Sequence, residues 1–519
     1  MAFMSILKRF VSSAVGDDSH IEDLRKKALS YQTAEEERVT AHMQGMMLHN
    51  DDSYISGTKL FNCISLQKAQ TTLDKKILQI GGVQIPEKLE QRSFLLAGAQ
   101  GTGKSVALCR IYDTIRARGQ KAVVYDPTGE FIEKYYREGK DVIFNPLDSR
   151  TVTWNLYKDY DEASYANIAN LIPDGEGEAQ IWADSAKVLM TILLEEANSI
   201  DELIFMINTS TDAALKKIMA IGGQAGKIGA PATFQSVRFN VSNYCDSLQL
   251  QKNVIKGSAE GFSVEEYLND EASDAWVFLP ITPSHKKLLS PLISLFFDTL
   301  VSKSRELSVN RSRRIWMCID ELPSLPRLPS LTPAMAEGRK FGLIVVIGVQ
   351  AKSMLESTYG KNDADTIWGL FATRLYLMTL EASAAESMSN EIGQVKVLRR
   401  KVNTSTQQVS NKQLEDGFTG ESTSTSNEIV QIDAVMPSEI MGLKERRGYL
   451  ILSGDSENDK EVAYVGLSYE GLTPSQSIPS FCKGVIRNRK MMMDSVAQIN
   501  PKMHQAYLDS ISKLIEPSA

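Results

Sequence analysis

Eight consecutive residues carry the strongest chemical signal: Gly98, Ala99, Gln100, Gly101, Thr102, Gly103, Lys104 and Ser105 fit the pattern G-x-x-x-x-G-K-[ST]. The spacing has a physical reason. Glycines let such a loop curl so that successive backbone N–H groups point inward at phosphate oxygens, at the positive end of the following helix. Lys104 then reaches the β- and γ-phosphates of a nucleotide such as ATP, and the Ser105 hydroxyl is placed to ligate Mg2+. The apolar run FLLA before the loop and the run VALCRIYDTIRA after it provide the strand, loop and helix that the motif needs.

A second element supplies acids. The run IWMCIDE ends in Asp320 and Glu321; beside a phosphate loop, the first acid holds Mg2+ and the second orients or deprotonates the attacking water. Alone, an apolar strand ending in Asp-Glu says little; together with the loop it adds the metal and base functions of hydrolysis. The strand LIVVIGVQ ends in Gln350, an amide placed to sense the γ-phosphate or the attacking water, although a Gln that merely caps a strand end fits the same spacing. In LTPAMAEGRKFG, Thr332 suits a helix cap, Pro333 its first turn and Gly342 its end, which leaves Arg339 and Lys340 near the C-terminal end. The helix dipole alone favours a cation there; the functional reading is a subunit-interface arginine or a DNA contact. Arg374, opening RLYLMTL, competes with Arg339 for the role of arginine finger. Asp126 directly follows the run AVVY, where α/β folds place ligand contacts, and loop capping accounts for it equally.

These residues need a scaffold. From Phe94 onward, short runs rich in β-branched and aromatic residues alternate with helix-length stretches, the pattern of a parallel sheet with crossover helices. The predicted fold is therefore α/β, with the strands interrupted over 159–272, where Ala186, Leu189, Met190, Leu193 and Leu194 recur at helical spacing. The expected domains are an N-terminal polar helical segment over 1–75, a nucleotide-binding domain from 76–158 and 273–470, an all-α domain over 159–272, and a helical tail over 471–519. Within them, 403–428 is Ser/Thr-rich with few large apolar residues, and reads as a flexible loop or an extended hairpin.

A chain of 519 residues, 43% hydrophobic and 23% charged, is an ordinary globular composition that excludes wholesale disorder. The net charge of −7 argues against a generally basic, nucleic-acid-coating protein but leaves room for a local basic lining. Lys286, Lys287, Arg399, Arg400 and Lys401 form small basic clusters, more often the mark of a solvated surface. Five scattered cysteines form no CxxC pair, and without HExxH or GxSxG the metalloprotease and triad-hydrolase classes have no residues to use. No stretch approaches the roughly 20 apolar residues of a membrane span, so a cytoplasmic protein is expected. Phe3, Ile6, Leu7 and Phe10 share one helix face, which could rest on a membrane surface but more commonly docks on a protein's own core.

Several ordered segments, FLLAGAQGTGKSVAL, VVYDPTGEFIEKYY, VIFNPLDSRTVTWNLY, IWADSAKVLMTIL, IDELPSLPRLPSL, AEGRKFGLIVVIGVQ and MPSEIMGLKERRGYLIL, resemble the type IV coupling proteins. These are the TraD/TraG-like ATPases of conjugation and type IV secretion, within the FtsK/HerA group of P-loop DNA motors. The resemblance covers roughly residues 80 to 470. It implies a RecA-like domain carrying an all-α domain, assembled as a homo-hexameric ring that hydrolyses ATP with Mg2+ and handles DNA. It also implies relaxase or relaxosome as partner and type IV secretion inner-membrane components as neighbours. By position, Lys104 and Ser105 bind phosphate and Mg2+, Asp320 and Glu321 form the Walker B pair, and Gln350 is the third-strand sensor. Two departures stand out. The family usually begins with two transmembrane helices, where this sequence has polar, helical residues, so recruitment by a membrane partner or peripheral association at the inner membrane would replace them. Ala372-Thr373-Arg374 stands where a Gly-Asn-like pair is expected. A nucleotide-switched receptor for relaxase or effector proteins, and an FtsK/HerA-like repair or defence ATPase, are the alternative functions.

Overall fold

The computed structural model describes residues 53–58, 60–64, 74–172, 175, 177–221, 231–251, 254–408, 419–453, 460–468, 478–484 and 489–515. They form two compact units. The first takes the described parts of Met1–Arg118, Gly348–Ser357 and Phe371–Gly471; the second takes those of Gly119–Ile347, Thr358–Leu370 and Leu472–Ala519.

The first unit begins with β1 (Ser53–Gly57) and β2 (Leu60–Asn62), followed by β3 (Ser93–Ala97) and α1 (Lys104–Ala117). Ser53–Gly57 and Leu60–Asn62, grouped by sequence with a helical segment, are thus strands. Runs of five and three residues are too short to show a period of their own, and their partners lie far along the chain: β1 pairs with residues 395–398 and β2 with residues 462–464. The Phe3 to Phe10 face lies outside the described residues. Every residue of β3 is buried, as expected for a central strand covered on both faces. Helix α1 buries Val106, Leu108, Ile111, Tyr112 and Ile115, and Gly119 beyond it takes φ 63°, the left-handed conformation that ends helices.

The second unit opens with β4 (Lys121–Asp126), α2 (Glu130–Tyr135) and β5 (Val142–Ile143). The longer helices of the next stretch are α3 (Glu178–Glu196), α4 (Ile200–Thr209), α5 (Asp212–Ile221), α6 (Pro231–Gln249) and α7 (Val264–Asn269). Ala186, Leu189, Met190, Leu193 and Leu194 are fully buried on one side of α3, the stripe their spacing predicted. The strands resume with β6 (Trp276–Pro280), α8 (Lys286–Glu306), β7 (Ile315–Ile319), α9 (Leu331–Glu337) and β8 (Leu343–Val349), then α10 (Lys352–Tyr359) and α11 (Lys361–Gly369), of which Gly348–Ser357 belongs to the first unit. Their order is β8-β7-β4-β6-β5, and all four pairings are parallel.

Asp159 ties the two ends of the helical stretch together. Only 2% exposed, its carboxylate accepts from Trp154 Nε1 and Ser263 Oγ at 2.6 Å each, and from the backbone N–H groups of Val264 and Glu265 at 3.0 and 2.9 Å. The last two bonds satisfy first-turn donors of α7 that have no intrahelical acceptor.

Helix α9 starts two residues earlier than its sequence suggests: Ser330, not Thr332, is the N-cap, and the helix passes into a 3-10 turn over Gly338–Lys340. Ser330 makes no cap bond of its own. Its N–H and hydroxyl both go to Asp298 of α8, a tertiary partner that no local pattern reveals. Gly342 does end the segment at φ 86°, with a Cβ there only 2.6 Å from the Arg313 carbonyl oxygen.

The first unit is completed by β9 (Phe371–Leu377), α12 (Ala382–Ile392), β10 (Gln394–Gln408), β11 (Thr419–Asp433), β12 (Arg447–Leu452) and β13 (Glu461–Gly466). Strand β9 begins three residues before Arg374, with a register irregularity between Phe371 and Thr373. The order is β2-β13-β12-β9-β3, with β9/β3 and β13/β2 parallel and β9/β12 and β12/β13 antiparallel. Strands β10 and β11 pair residue for residue over 394–408 and 419–433, so the described part of the Ser/Thr-rich region is an extended hairpin. Its base is anchored by buried Val395 and Val397, whereas Thr423 to Ile429 are exposed. The tail contributes α13 (Arg489–Ile499) and α14 (Pro501–Ile515) to the second unit. No helix among the described residues is long and apolar enough to cross a membrane.

Candidate nucleotide-binding and hydrolysis site

Strand β3 delivers the chain into a loop braced at its start. The Gly98 N–H donates to the Val349 carbonyl at 3.2 Å and the Ala99 N–H to the Met378 carbonyl at 2.8 Å. A Cβ on Gly98 would lie 2.7 Å from Leu377 Cβ, so close approach demands glycine here. Thr102, buried, donates its hydroxyl to the Ala99 carbonyl at 2.7 Å and closes the curl. The Lys104 ammonium folds back over the loop and donates to the Gly98 and Ala99 carbonyls at 2.6 and 3.3 Å. Gly103 at φ 119° forms the N-cap of α1 without a side-chain cap bond, and the first turn carries no acidic residue. The positive end of α1 is thus free of local side-chain anions, with one ammonium set over a curled backbone: the arrangement fits a phosphate group.

Gln350 directly follows Val349, the residue bonded to Gly98, so its backbone lies next to the start of the phosphate loop in the first unit. Arg374 belongs to that unit as well, but its surroundings are an internal cluster. Its guanidinium bonds Glu391 Oε2 at 2.5 Å and the Phe371 carbonyl at 3.1 Å. The Tyr376 hydroxyl donates to the same carboxylate oxygen, and Lys460 donates to the Glu391 and Ile392 carbonyls. Burial, followed by the negative charge of Glu391, holds the Tyr376 phenol well above its ordinary range.

Asp320 and Glu321 leave the fully buried strand β7 in the second unit. The turn after them is held by Tyr125, a residue outside the phosphate-loop and acidic motifs. The Tyr125 hydroxyl meets Ser324 Oγ at 2.7 Å, and Ser324 in turn bonds the Glu321 carbonyl through its hydroxyl at 2.7 Å and its N–H at 3.1 Å. Burial, opposed by the hydrogen bond to Ser324 and reinforced by the negative charges of Glu321, Asp320 and Asp126, pushes the Tyr125 phenol up to about 12, which keeps it a neutral hydrogen-bonding strut. The only available signal was its place on β4, a strand that pairs with β7. Asp126 is a cap. Fully buried, it accepts from Gly129, Phe131 and Ile132 N–H at 2.8, 2.8 and 3.2 Å; burial pushes its carboxyl up to about 6 against the pull of those donors.

Arg339 sits half-buried in the 3-10 turn after α9, also in the second unit. Asp298, under the start of α9, is pushed up to about 6 by burial, opposed by its bonds to Ser330. Lys286 and Lys287 are exposed at the start of α8, as are Arg400 and Lys401 on β10.

A family model described as the type IV secretion-system coupling protein DNA-binding domain matches residues 77–461. The chain belongs to the type IV coupling proteins. Among relatives of this family, the coupling protein TraD of Escherichia coli (strain K12) is 29% identical over 336 residues, 62% of this chain and 46% of that protein. The conjugal transfer protein TraG of Agrobacterium fabrum is 22% identical over 228 residues, 43% of this chain and 32% of the relative. The chain therefore matches less than half the length of these relatives. Solved structures of the coupling protein TrwB superpose closely. TrwB in complex with ADP and Mg2+ gives a TM-score of 0.69 at 27% identity, covering 83% of this chain and 98% of TrwB. TrwB with the non-hydrolysable ATP analogue ADPNP gives 0.70 at 26%, covering 85% and 100%. The fold is accordingly α/β and RecA-like, with a mainly parallel sheet and an all-α interruption.

Proposed function

We propose that this coupling protein binds ATP with Mg2+, hydrolyses it and uses the cycle to move DNA, with its bound relaxase, toward a type IV secretion machinery. The observation that carries the reading is the phosphate loop: Lys104 held over the carbonyls of Gly98 and Ala99 at the uncapped start of α1, with Gln350 alongside. The nucleotide complexes of TrwB bear on the same fold.

In this reading the backbone of Gly98 to Ser105 and the Lys104 ammonium bind the phosphates. Ser105 and Asp320 would hold Mg2+, which supplies charge neutralisation on the phosphate oxygens. Glu321 takes the proton of the attacking water, and Gln350 orients that water. Arg339 serves as the arginine finger toward a nucleotide held by a neighbouring subunit of a hexameric ring. Arg374 is the weaker candidate because its guanidinium is engaged with Glu391 and the Phe371 carbonyl. Relaxase, secretion components and peripheral membrane association complete the proposal through the family resemblance.

The test is ATP hydrolysis by the purified chain with single- and double-stranded DNA across a salt series. Stimulation by DNA that is abolished in Lys104→Ala is expected; activity indifferent to both kinds of DNA at every salt concentration would sink the DNA-motor reading.

A further inference from the structure

Arg446 is the one non-glycine residue with a positive φ, 58°, among the described residues. A left-handed conformation is strained for a residue with a Cβ, and such strain persists where the surroundings over-determine it. Both backbone polar groups of Arg446 are tied here. Its N–H donates to the Thr102 carbonyl, inside the phosphate loop, at 2.9 Å, and its carbonyl accepts from the Leu467 N–H at 2.9 Å. The unusual backbone therefore seats Arg446 on the loop itself. A Cβ built on Gly103 would lie 3.4 Å from the Cα and from the Cγ of Arg446, so the aliphatic stem runs against the last glycine before Lys104.

If only the turn mattered, glycine would meet the φ requirement without strain. The chain instead has an arginine, 45% exposed, whose Nε lies 3.3 Å from the carboxylate of Glu445, itself 67% exposed; an exposed pair of this kind contributes little. A guanidinium is permanently charged and presents a planar fork of donors that matches phosphate oxygens. With its stem beside Gly103, it lies within a side chain's length of anything the loop cradles.

We infer that Arg446 is a nucleotide-binding residue, whose guanidinium contacts a phosphate of the nucleotide held by Gly98 to Ser105 of the same subunit. The inference rests on the nucleotide-binding reading of that loop. It adds a second cation in cis to Lys104, from a chain segment more than three hundred positions away.

The experiment measures the affinity of the full chain for fluorescent ADP and ATP analogues with Mg2+, together with the melting temperature, for wild type, Lys104→Ala and three variants at 446. Arg446→Gly fits the left-handed backbone and removes the side chain; Arg446→Gln keeps the stem and removes the charge; Arg446→Lys keeps a cation. Expected are Kd values raised about tenfold in the Gly and Gln variants and within about threefold of wild type in the Lys variant, the loss typical of one charge-assisted contact. The melting temperature of the Gly variant is expected to be no lower than that of wild type. Wild-type Kd in both the Gly and Gln variants overturns the inference. So does weak binding by Gly with wild-type binding by Gln, which leaves only a packing role for the stem. Should the Gly variant fail to fold, the Gln variant decides. Nucleotide binding lost in Lys104→Ala but unchanged at 446 overturns this inference alone, whereas a wild type that binds neither analogue brings down the reading of the loop itself.

Discussion

Glu321 and Arg374 show how residues of similar sequence prominence acquire different work. Glu321 follows a buried strand and has its carbonyl held by Ser324, which Tyr125 braces in turn. That arrangement fixes the turn without using the carboxylate in the brace. The expected behaviour of Glu321→Gln is nucleotide affinity within a few-fold of wild type and hydrolysis slowed by about a hundredfold or more, the usual share of a general base; undiminished turnover in a steady-state phosphate-release assay would remove it from the catalytic set. Arg374 is bonded within its own chain to Glu391 and lies under a fifth exposed. Arg374→Ala leaves Glu391 and Tyr376 with a half-buried negative charge lacking its counterion, so a loss of about 2–3 kcal/mol in denaturant stability is expected, with the slope preserved. Unchanged stability with abolished hydrolysis would instead make Arg374 the finger.

At the scale of elements, two buried carboxylates act as joints. Asp159 receives four hydrogen bonds from Trp154, Ser263, Val264 and Glu265. Replacement by Ala strands those donors, and a destabilisation of about 3–5 kcal/mol is predicted, read as a fall in the urea midpoint. Asp126 behaves differently with pH. Its carboxyl titrates near 6 in the fold against an ordinary value of 3.8, so the folded chain holds that proton more tightly than the unfolded one. The contribution therefore favours folding below about pH 4 and is lost as pH rises through about 6, by at most about 3 kcal/mol. Asp126→Asn removes it. The stability of wild type relative to Asp126→Asn is expected to decline from pH 4 to 6 and then level off; a difference that is flat across that window contradicts the assignment.

For the whole molecule, the net charge of −7 is compatible with DNA handling, because phosphate contacts need positive charge only on the surface that meets the DNA. A ring that acts between subunits predicts a nucleotide-dependent mass: light scattering should report larger assemblies with ATP and Mg2+ than without, and a monomer under both conditions would leave Arg339 no neighbour to act on. Much of this organisation was legible in the chain itself. The phosphate loop, the Asp320-Glu321 pair, Gln350 and the buried stripe of α3 are local signals, set by residue type and spacing over one loop, one strand or one helix face. What only the tertiary structure decided depends on partners distant in sequence: the strands Ser53–Gly57 and Leu60–Asn62, which pair with residues hundreds of positions away; Ser330, drawn to Asp298; Tyr125, bracing the turn after Glu321; and Arg446, bent into a left-handed conformation against Thr102. No local period or composition records such contacts, because their free energy is realised only when the sheet and its loops have closed.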